Sequence, residues 1–175
     1  MNGETTKKNS MNALEYFKNI KTFIFDMDGV LTDGKVLVMS GTEWLRTMHI
    51  RDGHAIKTAT DKGYRVIVIS GSASGPVKKR LEFLGVKDVF MGVKNKKERL
   101  EKLIKKYKLE VSEMLYMGDD LPDLECMEFV GLPTCPADAV SELKRVAKYI
   151  SPFNGGSCCV RDLIEKVLLL NGGWK

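Results

Sequence analysis

The sequence is short of the residues from which most active sites other than carboxylate sites are built. Its two histidines, His49 and His54, each lack a second ligand at a metal-binding spacing, which argues against a histidine-based zinc site. The four cysteines, Cys126, Cys135, Cys158 and Cys159, form no CxxC pair, and neighbouring Cys158 and Cys159 are ill-placed to serve one structural zinc. Reduced thiols in a cytoplasmic protein are the expectation. No apolar run is long enough to cross a bilayer, and the opening MNGETTKKNSMNALEYF lacks the apolar core of an export signal. Neither membrane attachment nor secretion is expected. The 175 residues contain no internal repeat and no linker rich enough to divide them.

Charge is present but undirected. The net charge is +5, with much of the basic excess between Lys78 and Lys108. In KNKKERLEKLIKKYK the lysines recur around a helix whose other face carries Leu100, Leu103, Ile104 and Tyr107, so a solvated helix face accounts for them. A nucleic-acid reader would need a groove-reading motif or interleaved aromatics, and the sequence has neither. A small anionic substrate would suit the mild basic balance equally well.

Residues 1–20 read as a disordered polar tail, Met1 to about Ser10, and a short lead-in helix; residues 21–175 read as one domain. Strands are expected at Thr22–Met27, Arg65–Ser70, Asp88–Met91, Met114–Met117, near Val130 and at Lys148–Ile150. Lys35–Met39 and Trp44–Ile50 flank a turn at Ser40, Gly41 and Thr42, hence a hairpin. Helices are expected at about Asp52–Lys62, Pro76–Leu84, Lys96–Tyr107, Leu121–Met127, Ala137–Leu143 and Val160–Leu170. The run RVIVIS, β-branched almost throughout, suits a sheet covered on both faces. Alternating strands and helices predict an α/β fold: a three-layer, Rossmann-like, open and mostly parallel sheet.

In such sheets ligands bind beyond the carboxyl ends of the strands. Asp26 and Asp28 end the first strand, Ser70 and Gly71 the second, and Asp119 and Asp120 the fourth; Lys96 opens the helix after the third. Asp26 and Asp28 stand two apart, so an extended backbone points both carboxylates to one side, where they need a cation or a shared proton. Mg²⁺ is hard and prefers oxygen, and with Asp119 a carboxylate magnesium site follows. Asp26 could act as a nucleophile and Asp28 as acid and base. Ser70 with nearby N–H groups could hold phosphoryl oxygens, and Lys96 could offset the remaining charge. Asp120 and Asp123 fit a supporting role or helix capping equally well.

DMDGVLTDG (Asp26–Gly34), Ser70 after RVIVI, Lys96 and GDDLPD (Gly118–Asp123) together resemble the four motifs of haloacid-dehalogenase-superfamily phosphatases. The resemblance narrows to the capless branch typified by 3-deoxy-D-manno-octulosonate 8-phosphate phosphatase and covers about Ile20 to Trp174. It rests on the missing cap, the hairpin, Arg51-Asp52-Gly53, GVKD at Gly85–Asp88, and Gly155-Gly156 with Arg161. It implies a phosphomonoesterase with Asp26 as nucleophile and metal ligand, Asp28 as acid/base with its carbonyl on Mg²⁺, and Asp119 completing the ligands. It further implies substrate contacts from His49, Ile50, Arg51, Asp52, Gly53, Lys57 and Arg80, a homotetramer assembled by the hairpins, and a place in bacterial surface-polysaccharide (lipopolysaccharide) synthesis. The chain departs from that pattern where Gly71 is followed by Ser72, Ala73 and Ser74 instead of a basic residue, and where the late segment reads GGSCCVRD. A nine-carbon keto-deoxy sugar acid 9-phosphate is therefore a second substrate to weigh, and a non-catalytic regulatory module is the alternative outside enzymology.

Overall fold

The computed structural model describes residues 13–40 and 44–174. The tail Met1–Ser10, expected to be disordered, and Gly41 and Thr42 of the hairpin turn lie outside the described residues.

After helix α1 (Ala13–Lys18), strand β1 (Thr22–Phe25) enters the centre of the molecule. A two-stranded antiparallel arm follows, β2 (Leu37–Val38) against β3 (Trp44–Leu45). Then come α2 (Ile50–Asp61), β4 (Arg65–Ile69), α3 (Gly75–Phe83), β5 (Asp88–Phe90) and α4 (Lys96–Tyr107). The chain closes with β6 (Met114–Met117), α5 (Leu124–Phe129), β7 (Leu132–Cys135), α6 (Ser141–Val146), β8 (Tyr149–Ile150) and α7 (Cys159–Leu170). Six strands form one sheet in the order β5-β4-β1-β6-β7-β8, every neighbouring pair parallel.

Period-two alternation builds the three layers. Phe23 and Phe25 of β1, Val66 and Val68 of β4, and Leu115 and Met117 of β6 face the layer that supplies Ile56, Leu81 and Leu163 from α2, α3 and α7. Ile24, Ile67, Ile69 and Tyr116 face the opposite layer, with Leu100, Leu103, Met127 and Leu143 from α4, α5 and α6. Both faces are thus covered, the burial a parallel sheet needs. Replacing the fully buried Phe25 by Ala would open a cavity between layers and cost about 3–5 kcal/mol. Phe17 of α1 and Ile20 belong to the first of these cores, and Phe17 meets Tyr149 edge to face at 5.2 Å.

Four elements differ from the sequence reading. The strand expected near Val130 begins at Leu132, because Gly131 lies where a Cβ would come 2.7 Å from the Ser112 carbonyl oxygen, and LPTC pairs with β6 despite its proline. The helix expected from Ala137 starts at Ser141, since Pro136–Val140 form a turn that returns to Asp119, the Val140 N–H donating to its carbonyl at 3.0 Å. The arm pairs over two residues per strand, and α2 starts earlier than expected, at Ile50, because His49 caps it by accepting the Arg51 N–H at 3.1 Å.

Candidate active site

With all six strands parallel, their carboxyl ends share one edge. The chain steps outward from β1 through β4 to β5, then returns to the far side of β1 as β6. This reversal opens a crevice between β1 and β6. Asp26 and Asp119 follow those two strands, and the Asp26 N–H donates to the Met117 carbonyl at 3.0 Å, prolonging the ladder to the crevice lip. Gly29 then turns the chain with φ 89°, and a Cβ there would lie 2.0 Å from Asp119 Oδ2. Only glycine lets the loop bearing Asp28 pass this close to Asp119.

Oxygens of Asp26, Asp119 and Asp123 lie within 4.8 Å of one another. Buried Lys96 places Nζ 2.8 Å from both Asp26 Oδ1 and Asp123 Oδ1, and the Tyr116 hydroxyl donates to the same Asp123 oxygen at 2.6 Å. Asp123 Oδ2 is buried with no hydrogen-bond partner among the described residues. One ammonium beside three carboxylates leaves two negative charges uncompensated. Burial, with the charge of Asp123, raises Asp26 to about 7; burial, then Asp26 and Asp123, raises Asp119 to about 7. Burial alone would lower Lys96, but Asp123 and Asp26 override it and hold the ammonium above its usual value.

The set fits a hard divalent cation. Its donors are all oxygens, its surplus charge matches a dication, and the orphaned Asp123 oxygen is a buried acceptor awaiting a donor or an ion. The thiols are no rivals: burial pushes Cys126 up to about 12 and Cys135 up to about 11.

Asp28 lies beside this cluster, and Arg46 grips its carboxylate. Nε donates to Oδ1 at 2.7 Å and Nη2 to Oδ2 at 3.0 Å. Ser70 is 1% exposed at the tip of β4 and accepts the Ser72 N–H on Oγ at 3.1 Å. Gly71 and Lys96 line one cavity of about 530 Å³ with Val93, Asn95, Leu121 and Pro122.

The segment after the arm is placed differently. Asp52 is buried and caps α7, its two oxygens accepting the Arg161 and Cys158 N–H groups at 2.7 and 3.2 Å. His49 touches the Cys158 sulfur, Ile50 is exposed, and Arg51 lines a separate cavity of about 430 Å³ with Phe153, Cys158 and Arg161. Lys57 pairs with Asp61 along α2, and Arg80 packs over Gly53, 3.0 Å from where a Cβ would stand. Among the described residues, none of these seven forms a hydrogen bond or ion pair with the carboxylate cluster.

Sequence reasoning left Asp123 undecided and passed over Tyr116, Thr32 and Arg46. A hydroxyl inside the apolar strand MLYM was the available signal for Tyr116; nothing local ties Arg46 to a carboxylate 18 residues away.

A parallel sheet of this order, with acidic groups at the tips of β1 and β6 and a lysine opening the helix after β5, defines the class of haloacid dehalogenase-like hydrolases. The family model of that description matches residues 87–157, which include Lys96, Asp119 and Asp123. The chain is 33% identical over 163 residues to the 3-deoxy-D-manno-octulosonate 8-phosphate phosphatase KdsC of Escherichia coli (strain K12), 93% of this chain and 87% of that protein. It belongs to the 3-deoxy-D-manno-octulosonate 8-phosphate phosphatase family, phosphoric monoester hydrolases within that class. The Moraxella catarrhalis phosphatase of that name, in complex with magnesium ion, phosphate ion and KDO, superposes with a TM-score of 0.87. Its identity is 30%, over 90% of this chain and 91% of that one. The cobalt-bound Haemophilus influenzae phosphatase gives 0.85 at 32% identity, over 90% and 92%.

Proposed function

We propose that the chain is a Mg²⁺-dependent phosphatase of a keto-deoxy sugar acid phosphate, with 3-deoxy-D-manno-octulosonate 8-phosphate the first candidate, and that Asp26 carries the phosphoryl group. The observation that carries this reading is the meeting of Asp26, Asp119, Asp123 and Lys96 at the crevice between β1 and β6. Bound by Asp26, Asp119 and the Asp28 carbonyl, Mg²⁺ would keep Asp26 ionised and neutralise phosphoryl oxygens.

In the first step an Asp26 oxygen attacks phosphorus and the bond to the sugar oxygen breaks, Asp28 giving that oxygen its proton. In the second step Asp28 takes a proton from water, whose oxygen attacks the aspartyl-phosphate and releases inorganic phosphate. Lys96, Ser70 Oγ and the Gly71 backbone offset charge on the phosphoryl oxygens. Asp123 acts through Lys96, holding its ammonium at 2.8 Å. The apolar residues exposed on the arm, Leu37, Val38 and Trp44, support its burial against further copies in a homotetramer. Free thiols and the absence of a membrane-spanning helix among the described residues accord with a cytoplasmic location.

Phosphate release from a panel of eight- and nine-carbon sugar acid phosphates, with Mg²⁺ and with chelator, tests substrate and cofactor together. Asp26→Asn should abolish turnover; an Asn variant with full turnover removes Asp26 from the nucleophile's role. Gel filtration at micromolar concentration tests the tetramer, which a monomeric elution volume would rule out.

A further inference from the structure

Arg46 stands at the root of the arm, one residue beyond β3, yet its side chain is only 4% exposed, because the guanidinium turns inward onto Asp28. Three of its five N–H donors are committed: Nε to Asp28 Oδ1 at 2.7 Å, Nη2 to Asp28 Oδ2 at 3.0 Å, and Nη1 to the Trp44 carbonyl at 3.1 Å. This fork matches the planar geometry of a carboxylate, a match that lysine's single-point ammonium does not offer. The Thr32 hydroxyl adds a weaker contact to Oδ1 at 3.3 Å and accepts the Gly34 N–H at the same distance, so the loop following Asp28 folds back onto it.

Left alone, Asp28 would choose among staggered rotamers, and the charges of Asp26 and Asp119 would drive its carboxylate outward into solvent. Arg46 holds one of those rotamers. We infer that Arg46 is a positioning residue for the reaction: it aims the Asp28 carboxylate at the leaving-group oxygen. Oδ1 takes two donors and Oδ2 one, so Oδ2 is the less engaged of the two oxygens. The same pair ties the exposed arm to the catalytic carboxylate, so whatever seats the arm also seats Asp28. This inference rests on the reading of Asp28 as the acid, and its test separates the two.

The measurement is single-turnover alcohol release, enzyme in excess and Mg²⁺ saturating, across phosphate monoesters from p-nitrophenyl phosphate to an alkyl phosphate. A nitrophenolate leaves unprotonated, whereas an alkoxide needs the proton. Arg46→Ala should slow the alkyl ester by about 10- to 100-fold, the size of effect that misplacing a catalytic group produces, and the nitrophenyl ester by under about threefold. Arg46→Lys should recover part of the loss. Arg46→Gln, which keeps donors without charge, is read the same way if the alanine variant does not fold. Equal losses on both esters, or no loss on the alkyl ester, overturn the inference. Asp28→Asn run alongside should show the same selectivity. If it does and Arg46→Ala does not, this inference alone falls; if it does not, the acid assignment falls and takes the inference with it.

Discussion

Lys96 and Asp123 meet at 2.8 Å although 27 residues separate them, and the same ammonium lies 2.8 Å from Asp26. Asp123 is 1% exposed, so it serves the site through the lysine and through its own unpartnered oxygen. Exchanging it for Asn removes a charge that Lys96 balances and sets an amide N–H₂ against an ammonium. Asp123→Asn should weaken Mg²⁺ binding by about 10- to 100-fold, as losses behind a metal site do. Isothermal titration calorimetry reads this directly, and wild-type affinity in the variant would remove Asp123 from the site's electrostatics.

The paired carboxylates set a pH dependence of known sign. Asp26 and Asp119 are raised from the ordinary 3.8 to about 7, chiefly by burial, so the folded state holds their protons more tightly than the unfolded chain. Their contribution to stability is full below about pH 4 and is lost as pH climbs through 7. In chelator, Tm should fall between about pH 5 and pH 8. Saturating Mg²⁺ should flatten that decline, and its affinity should rise by up to about tenfold per pH unit for each proton it displaces. Differential scanning fluorimetry checks the first two statements, and a Tm in chelator that stays level across that range contradicts them.

Two glycines give a matched comparison. Gly29 has φ 89° and would place a Cβ 2.0 Å from Asp119 Oδ2, whereas nothing lies within 4 Å of a Cβ on Gly75. Gly29→Ala should cost about 2 kcal/mol or more through backbone strain and should displace Asp119. Gly75→Ala, at the first position of α3, should change stability by less than about 1 kcal/mol. Urea unfolding of the two variants in parallel settles the contrast, and equal midpoints would deny it.

Asp52 makes a separate structural prediction. Its carboxylate accepts two N–H groups at the start of α7, more than 100 residues further along the chain. Asp52→Ala should destabilise the fold by about 1–2 kcal/mol, the usual size of a lost cap. That corresponds to roughly 2–8 °C in Tm for a chain of this length. An unchanged Tm would show that the cap adds nothing to stability.

Much of this was legible in the sequence wherever the signal is local. Asn95 before a basic amphipathic run marked α4 at Lys96–Tyr107, and its side chain does cap that helix, accepting the Glu98 N–H at 2.9 Å. RVIVI and MLYM marked β4 and β6, since β-branched and apolar runs of that length need both faces covered. The strand expected near Val130 lies instead at Leu132–Cys135, because pairing with β6 on one side and β8 on the other, not a local pattern, makes LPTC a strand. At the site, Asp26 and Asp119 were legible from their place after apolar strands. The partner of Asp28 was not, because Arg46 sits in EWLRTM, where an arginine reads as an ordinary solvated residue.

By itself the sequence determined the periodicities, the breakers and the spacing of the carboxylates, because each depends on a few neighbouring residues and on backbone sterics. Those suffice for an α/β sheet with acidic strand tips. Tertiary structure alone decided which acids share Lys96, that Arg46 grips Asp28, and that Asp52 caps a helix. These are pairings between groups 18 to 109 residues apart. Groups that far apart in the chain come within bonding distance only when the packed layers of the sheet bring their backbones together.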